Sequence, residues 1–290
     1  MNEFKTYHPI VSFTYFVFVI GFSCFLMHPV CLVISLACGF LYSVMLKGRK
    51  AVKTNLIYML PLLLAMALIN PLFNHEGVTV INYLPDGNPV TVESIVYGIG
   101  AAAMIVSVIC WFSCYNEVMT SDKFIYLFGK IIPSLSLIIS MTLRFVPTFT
   151  SQLKVVTNAQ RCMGRDIKNG SLINRLKHGL NILSIMTTWA LENAIDTADS
   201  MKARGYGIYG RTAFSVFTFD KRDKKALICI LLTGTYLLAG KLTGKIHFEY
   251  FPSVKGTDVS LFGISVFVSY LLLCMCPVII EFWEVRKWKA

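Results

Sequence analysis

The sequence predicts an all-α, polytopic helical membrane protein, with about six transmembrane helices and long cytoplasmic helices. Three observations carry this. The 290-residue chain is 55% apolar and only 15% charged, which sets it apart from ordinary soluble domains. Its apolar residues fall in runs close to the ~20 needed to cross ~30 Å of hydrocarbon. Its charge is unevenly placed: residues 116–225 hold 16 of the 27 Lys and Arg and 8 of the 16 Asp and Glu, a local net charge of +8. In a membrane protein such an excess marks segments that face the cytoplasm and anionic lipid. The overall +11 therefore points to the lipid bilayer, and nucleic acid is not expected as a partner, since RNA-binding signatures and zinc-finger spacing are absent. The chain divides into N-terminal transmembrane helices (1–115), a cytoplasmic block (116–225) and C-terminal transmembrane helices (226–290).

Taken in order, Pro9–Met27 and Pro29–Leu46 read as a tight helical hairpin broken at His28-Pro29. The first follows only eight residues and has no A-x-A cleavage site, so it is expected to be a retained helix and not a signal peptide. Lys47, Gly48, Arg49, Lys50 and Lys53 form a basic turn, cytoplasmic by the positive-inside rule, which places the N-terminus inside as well. A third span over Val52–Phe73 should kink at Pro61. Asn74–Thr91 has no Lys or Arg and alternates through Val78–Tyr83 before the turn signal Pro85-Asp86-Gly87-Asn88, so residues 74–92 are expected to form an external hairpin-like loop. His75 and Glu76, adjacent and without further ligands, read as loop residues. The fourth span, Val92–Tyr115, carries Gly98, Gly100 and Ala101–Ala103, small residues that allow close helix approach.

Ile131–Phe149 is 19 residues long with one charge, Arg144. A single crossing here would turn the following basic block outward, so the segment is expected to be interfacial, with Arg144 reaching the headgroups. The alternative is a fifth span paired with a crossing near Leu180–Leu191. Leu172–Ala203 reads as one long helix whose apolar stripe runs through Leu172, Leu176, Leu180, Leu183, Ala190, Ala194, Ala198 and Met201. Glu192, Asp196 and Asp199 lie on another face and read as a solvated stripe. Ala226–Gly240 and Ser260–Trp283 complete the spans. With both termini cytoplasmic, 24 of the 27 basic residues lie on one side, leaving Lys241, Lys245 and Lys255 outside.

No catalytic motif, metal site or cofactor site emerges. Eight of the nine cysteines lie in apolar segments and act as small hydrophobes; neither Cys110/Cys114 nor Cys274/Cys276 has zinc or redox spacing. Gly234–Thr243 has the wrong glycine spacing for a P-loop, and Leu242 stands where Ser or Thr is needed.

Two Arg/Gly clusters lie in the polar stretch Ser151–Arg211: Arg161-Cys162-Met163-Gly164-Arg165 and Lys202-Ala203-Arg204-Gly205-Tyr206. An exposed Arg at a helix end with small neighbours suits docking to a carboxylate, and Gly205 can end the helix in a left-handed cap. Taken together, Leu143-Arg-Phe-Val-Pro147, Asn158-Ala-Gln-Arg161, Gly164-Arg-Asp166, Ala198–Gly207, Asn70-Pro71, Gly77, Thr91, Glu93 and Tyr97-Gly98 resemble the transmembrane T component of energy-coupling factor (ECF) transporters. They are also similar to the related permeases of cobalt and nickel importers. The resemblance implies a non-enzymatic scaffold in the bacterial plasma membrane. Its long cytoplasmic coupling helices would end in Ala-Arg-Gly-like motifs docked on two ABC-type ATPase subunits, and a separate membrane S component would bind the vitamin or metal ion. On that pattern Ala203, Arg204 and Gly205 match the second motif. The first departs from it: Cys162-Met163-Gly164 stands in place of Ala-Arg-Gly. Arg161 and Arg165 lie two positions away, about 200° around a helix, though Arg165 can serve if the helix ends at Gly164. A stand-alone enzyme or channel using Arg144 and the acidic stripe is the competing class.

Overall fold

The computed structural model describes residues 3–83, 88–129, 132–166, 171–208, 217–244, 246, 248–256 and 260–289, with side chains at all of these except 50, 54, 56, 133–135 and 285–289. Contacts divide the chain into one unit of residues 1–124 and 217–290 and a second of residues 125–216. The elements run α1 (Pro9–Phe25), α2 (Pro29–Lys47), α3 (Arg49–Thr54), a π-helical turn (Asn55–Met59), α4 (Leu60–Phe73), β1 (Val80–Tyr83), β2 (Pro89–Thr91), α5 (Val92–Val118) and α6 (Ser121–Gly129). They continue with α7 (Pro133–Cys162), α8 (Leu172–Ala203), α9 (Lys221–Leu242), β3 (Phe248–Glu249), β4 (Lys255–Gly256) and α10 (Leu261–Lys289).

The protein is an all-α, multi-pass membrane protein. Among the described residues five stretches are long and apolar enough to cross a bilayer: Pro29–Lys47, Ala51–Phe73, Val92–Val118, Lys221–Leu242 and Leu261–Glu284. Helix α1 is equally apolar but has 17 residues. Both α1 and α2 start at a His-Pro pair. His8 and His28 accept through Nδ1 from the amides of Ile10 and Val30 at 3.3 Å, while the prolines fill first-turn positions whose N–H would lack a partner. Pro61 does distort the third span, as a π-helical turn immediately before it. Proline offers no N–H to the carbonyl four residues back, and the wider turn takes up the misfit. Helix α9 begins five residues earlier than its apolar run, because Asp220 and Asp223 form a capping box. Gly234 and Gly240 lie inside it against Phe18 and Val266, where an added Cβ would come within 3.1 and 2.8 Å, so Gly234–Thr243 is packed helix through Leu242.

Helix α5 packs against α1, α2 and α4. Gly98 makes the α4 approach possible, since its Cβ position is 3.1 Å from the Ala67 carbonyl and the Asn70 Cβ. At the centre of the bundle, buried polar side chains from four helices meet. Ser35 Oγ on α2 lies 2.7 Å from Ser23 Oγ on α1 and 3.1 Å from Ser107 Oγ on α5, and it accepts the Trp111 indole N–H at 3.0 Å. Ser23 Oγ is also 3.1 Å from the hydroxyl of Tyr270 on α10. A hydroxyl has one donor and two acceptor sites, so Ser35 is saturated. Trp111, Tyr15, Tyr42 and Tyr270 are all buried around this centre.

One end of the bundle is closed by residues 3–8. Phe4 is fully buried, Lys5 pairs with Glu117 at 2.6 Å, and Arg222 pairs with Glu284 at 3.6 Å while covering the Tyr7 ring at 4.4 Å. Lys123 is buried beneath this segment and donates to the Lys5 carbonyl at 2.7 Å. Burial, then the neighbouring Lys5 charge, pushes its ammonium down to about 8. Strands β1 and β2 pair antiparallel with Val80 opposite Thr91 and Tyr83 opposite Pro89, giving the expected hairpin; its turn residues 85–87 lie outside the described residues. Lys245, expected to face outward, also lies outside the described residues, as do the side chains of Arg286, Lys287 and Lys289.

In the second unit, Ile131–Phe149 is not a separate segment. From Pro133 it forms the first half of a 30-residue helix, α7, that continues through Pro147 to Cys162; Ile131 lies outside the described residues. Helix α7 is not among the five spanning stretches. Helix α8 has the expected bounds, but its leucine stripe is not its packing face. Leu172, Leu176, Leu180 and Leu183 are exposed, at 80%, 70%, 58% and 62%, whereas Ile182 and Met186 are buried and Trp189 meets Phe149 of α7 at 5.8 Å. At ~100° per residue the buried line lies about a quarter-turn from the leucines.

Two measurements test this packing. Ser35→Ala leaves the Trp111 N–H without its acceptor, and is expected to cost about 1–2 kcal/mol in detergent-solubilised protein; an unchanged unfolding midpoint contradicts the shared-hydroxyl centre. For Lys123, the folded value lies below the ordinary 10.5, so between pH 8 and 10.5 the folded chain releases a proton that the unfolded chain keeps. Stability should therefore rise with pH across that window. The melting temperature of the wild type should climb relative to Lys123→Met from pH 8 to 10, and parallel curves would refute the burial of a strained cation.

Candidate functional site

Both sequence clusters sit where a long helix of the second unit stops, and the two helices stop in the same way. Helix α7 ends at Cys162 and α8 at Ala203. The C-cap residues have nearly identical backbones: Met163 at φ −83°, ψ 11° and Arg204 at φ −83°, ψ 9°. Each is followed by a left-handed glycine, Gly164 at φ +79° and Gly205 at φ +77°. A residue with a Cβ is disfavoured there by about 1–2 kcal/mol, which is why glycine terminates both helices.

The hydrogen bonds repeat as well. Gly164 N–H donates to the Arg161 carbonyl at 3.0 Å and Gly205 N–H to the Lys202 carbonyl at 2.9 Å. Arg165 N–H reaches back to the Gln160 carbonyl and Tyr206 N–H to the Met201 carbonyl, both at 3.0 Å. This pair of backward bonds is the Schellman motif, which satisfies carbonyls that a helix end otherwise leaves open. The caps correspond position by position: Arg161 with Lys202, Cys162 with Ala203, Met163 with Arg204, Gly164 with Gly205, and Arg165 with Tyr206. Basic residues in both last turns also face the negative end of the helix dipole.

The side chains differ. Arg204 is exposed at its cap, and Met163 is 59% exposed at the equivalent position. Neither Arg204 nor Arg165 enters an ion pair among the described residues, whereas Arg161 Nε lies 3.3 Å from Asp166 Oδ2 across the turn. Of the two arginines flanking Met163, Arg161 is thus engaged within its own cap, and Arg165 emerges just past the glycine. The sequence reading named two further members of this arrangement, Asp166 and Tyr206, inside its motifs without giving either a role. Asp166 was legible as an acid five residues after Arg161, and Tyr206, half exposed, holds the place that Arg165 has in the first cap.

The other residues singled out in the sequence do not gather into a site. Arg144, Glu192, Asp196 and Asp199 are exposed, and Asp199 pairs with Lys202 at 3.8 Å along the same helix. Gly77, Thr91 and Glu93 shape the loop over the start of α5. The Glu93 carboxylate accepts from the Thr79 amide at 3.2 Å and hydroxyl at 2.9 Å, and a Cβ at Gly77 would strike Glu93 and Thr91 within 2.8 Å. His75 Nδ1 contacts the Pro89 carbonyl at 3.2 Å, tying the loop across its neck. Tyr97 packs on Tyr250 and Phe251 at 5.4 and 5.2 Å.

Residues 5–213 match the family described as "Cobalt transport protein", CbiQ. Among curated proteins, the chain is 40% identical over 109 residues to the "Energy-coupling factor transporter transmembrane protein EcfT" of Lactobacillus helveticus, covering 37% of this chain and 39% of that protein. It is 33% identical over 111 residues to the protein of the same name from Bacillus selenitireducens (38% and 41% covered). With that of Lactococcus lactis it shares 31% over 105 residues (36% and 40%). In these alignments the chain spans about two fifths of the length of each relative. The family match, by contrast, runs from the N-terminal cap through both helix-ending clusters, and the chain belongs to the CbiQ/EcfT family, the transmembrane T components of energy-coupling factor transporters.

Proposed function

We propose that this chain is the membrane scaffold of an ECF-type ABC importer, coupling ATP hydrolysis by two partner ATPase subunits to uptake of a vitamin or metal ion held by a separate S component. It is not itself an enzyme. The observation that carries this reading is the duplicated cap: two long helices end in one backbone geometry, so they can offer equivalent docking points to two similar subunits. Ala203, Arg204 and Gly205 form one point. Arg161, Met163, Gly164 and Arg165 form the other, with Met163 as an apolar knob and Arg165 as its nearest free cation. Arg204 would donate through its planar fork to an ATPase carboxylate.

In this reading α1 crosses together with the five longer stretches, which makes six crossings with both termini in the cytoplasm. Residues 1–115 and 226–290 hold the crossings, 74–92 lies outside, and 116–225 is the coupling block of a bacterial plasma-membrane protein. The description of the matching family as a cobalt transport protein supports a second reading with the same fold: the permease subunit of a dedicated cobalt or nickel importer. Co-expression with candidate S components, scored by uptake of labelled vitamin against labelled cobalt, separates the two.

Arg204→Glu reverses the charge offered to a carboxylate, and is expected to lower ATP-driven uptake by about 10- to 100-fold. Met163→Ala removes part of an apolar contact and should cost less than about fivefold. Equal and complete loss from both changes at normal expression would contradict the asymmetry. For the topology, alkaline phosphatase fused after Asn88 should be active and a fusion at the C-terminus inactive; the reverse pattern would overturn the orientation.

A further inference from the structure

Between the first half of α9 and the last half of α10 lies a cavity of about 570 Å³. Its walls are apolar, including Ala226 and Ile230 on α9 and Leu273 and Ile280 on α10, and its mouth carries Lys221, Arg222 and Lys225 with Glu284. The two helices run antiparallel, so these charges gather at one end. At the other they meet closely: a Cβ on Gly240 would lie 2.8 Å from Val266, and the Tyr236 hydroxyl is 2.7 Å from Ser265 Oγ. The gap is therefore a wedge that narrows towards Tyr236 and Gly240 and opens at a basic rim.

Among the described residues the charges of the rim are not balanced. Glu284 answers Arg222, whose guanidinium also donates to Thr6 at 3.1 Å and covers Tyr7. Lys221 and Lys225, one turn apart on the same helix, enter no ion pair among the described residues. From Lys221 to Thr233, the farthest α9 residue lining the cavity, the groove runs about 18 Å along the helix. One leaflet of a ~30 Å hydrocarbon core is about 15 Å deep. Both helices are long and apolar enough to cross a bilayer, so the groove has the depth and polarity gradient of a single leaflet.

We propose that this groove is a binding site for one anionic phospholipid, with its phosphate between Lys221 and Lys225 and an acyl chain laid along Ile230 and Thr233. A soluble anion would leave the apolar walls unfilled, and a zwitterionic lipid would leave the two lysines without net countercharge. The site is separate from the helix caps of the second unit and does not depend on the transport reading.

The test uses the full chain purified in detergent, stripped of lipid and titrated with phosphatidylglycerol or phosphatidylcholine, with bound lipid counted by native mass spectrometry. One phosphatidylglycerol per chain is expected to survive a wash that removes phosphatidylcholine. Lys221→Gln and Lys225→Gln should each weaken its binding about fivefold, while Lys255→Gln, outside the groove, should not. Thr233→Trp keeps both lysines and fills the channel, so it should also lose the lipid; a melting temperature equal to that of the stripped wild type verifies its fold. Unchanged binding in the two lysine variants and in Thr233→Trp would overturn the proposal, as would equal retention of phosphatidylcholine. Displacement by glycerol phosphate as effectively as by the lipid would reduce the site to a free-anion site and overturn it too.

Discussion

The left-handed backbone at Gly164 and Gly205 is the constraint on which the proposed working end of this protein depends. A helix that simply frayed at Cys162 or Ala203 would present its last residues in many directions and leave its final carbonyls to water. The Schellman bonds to Gln160, Arg161, Met201 and Lys202 fix both ends instead, so the residue before each glycine has one position and one exit direction. Because Met163 and Arg204 share that backbone to within a few degrees, the difference between the two helix ends is a difference of side-chain chemistry alone. A scaffold serving two similar partners could then be asymmetric without changing its shape: one cap offers a permanent cation, the other a flexible thioether with Arg165 beyond it.

The membrane unit obeys a related rule in a different medium. In hydrocarbon no water rescues an unpaired donor, and several of the interior hydroxyls meet at one point, although the hydroxyls of Ser12 and Tyr42 are buried without a hydrogen-bond partner among the described residues. Ser23, Ser35, Ser107, Trp111 and Tyr270 draw α1, α2, α5 and α10 together through bonds of 2.7–3.1 Å. Small residues do the rest: Gly98, Gly234 and Gly240 remove the Cβ atoms that would hold helices apart. The end closed by Phe4, Lys5 and Arg222 carries paired charges, and next to it α9 and α10 diverge into the basic-rimmed groove.

Much of this was legible in the residues. The His-Pro pairs, the long apolar runs, the hairpin alternation of residues 78–83 and the glycine after Ala203 each report a local backbone preference, and local preferences survive in the fold. The failures came where a local signal had more than one tertiary use. The leucines of α8 form a regular stripe, yet Ile182, Met186 and Trp189 lie on its packed side, because periodicity finds an apolar face without saying what covers it. The apolar run ending at Phe149 reads as a separate interfacial segment, but α7 continues through Pro147 to Cys162, and Thr150 Oγ1 donates to the Pro147 carbonyl at 2.8 Å in the following turn. The serine centre was invisible, since serines scattered through four apolar runs announce nothing until the helices meet. Asp223 likewise gave no sign that it would start α9 among four basic residues.

If the two caps are equivalent docking points with unequal side chains, each must touch its own ATPase subunit. A photo-crosslinking amino acid placed at position 163 and, separately, at position 204 of the assembled transporter reads this contact. Each position is expected to crosslink to an ATPase subunit, one to each copy. Crosslinks from one cap only, or from both caps to lipid or to the S component, would contradict the paired docking.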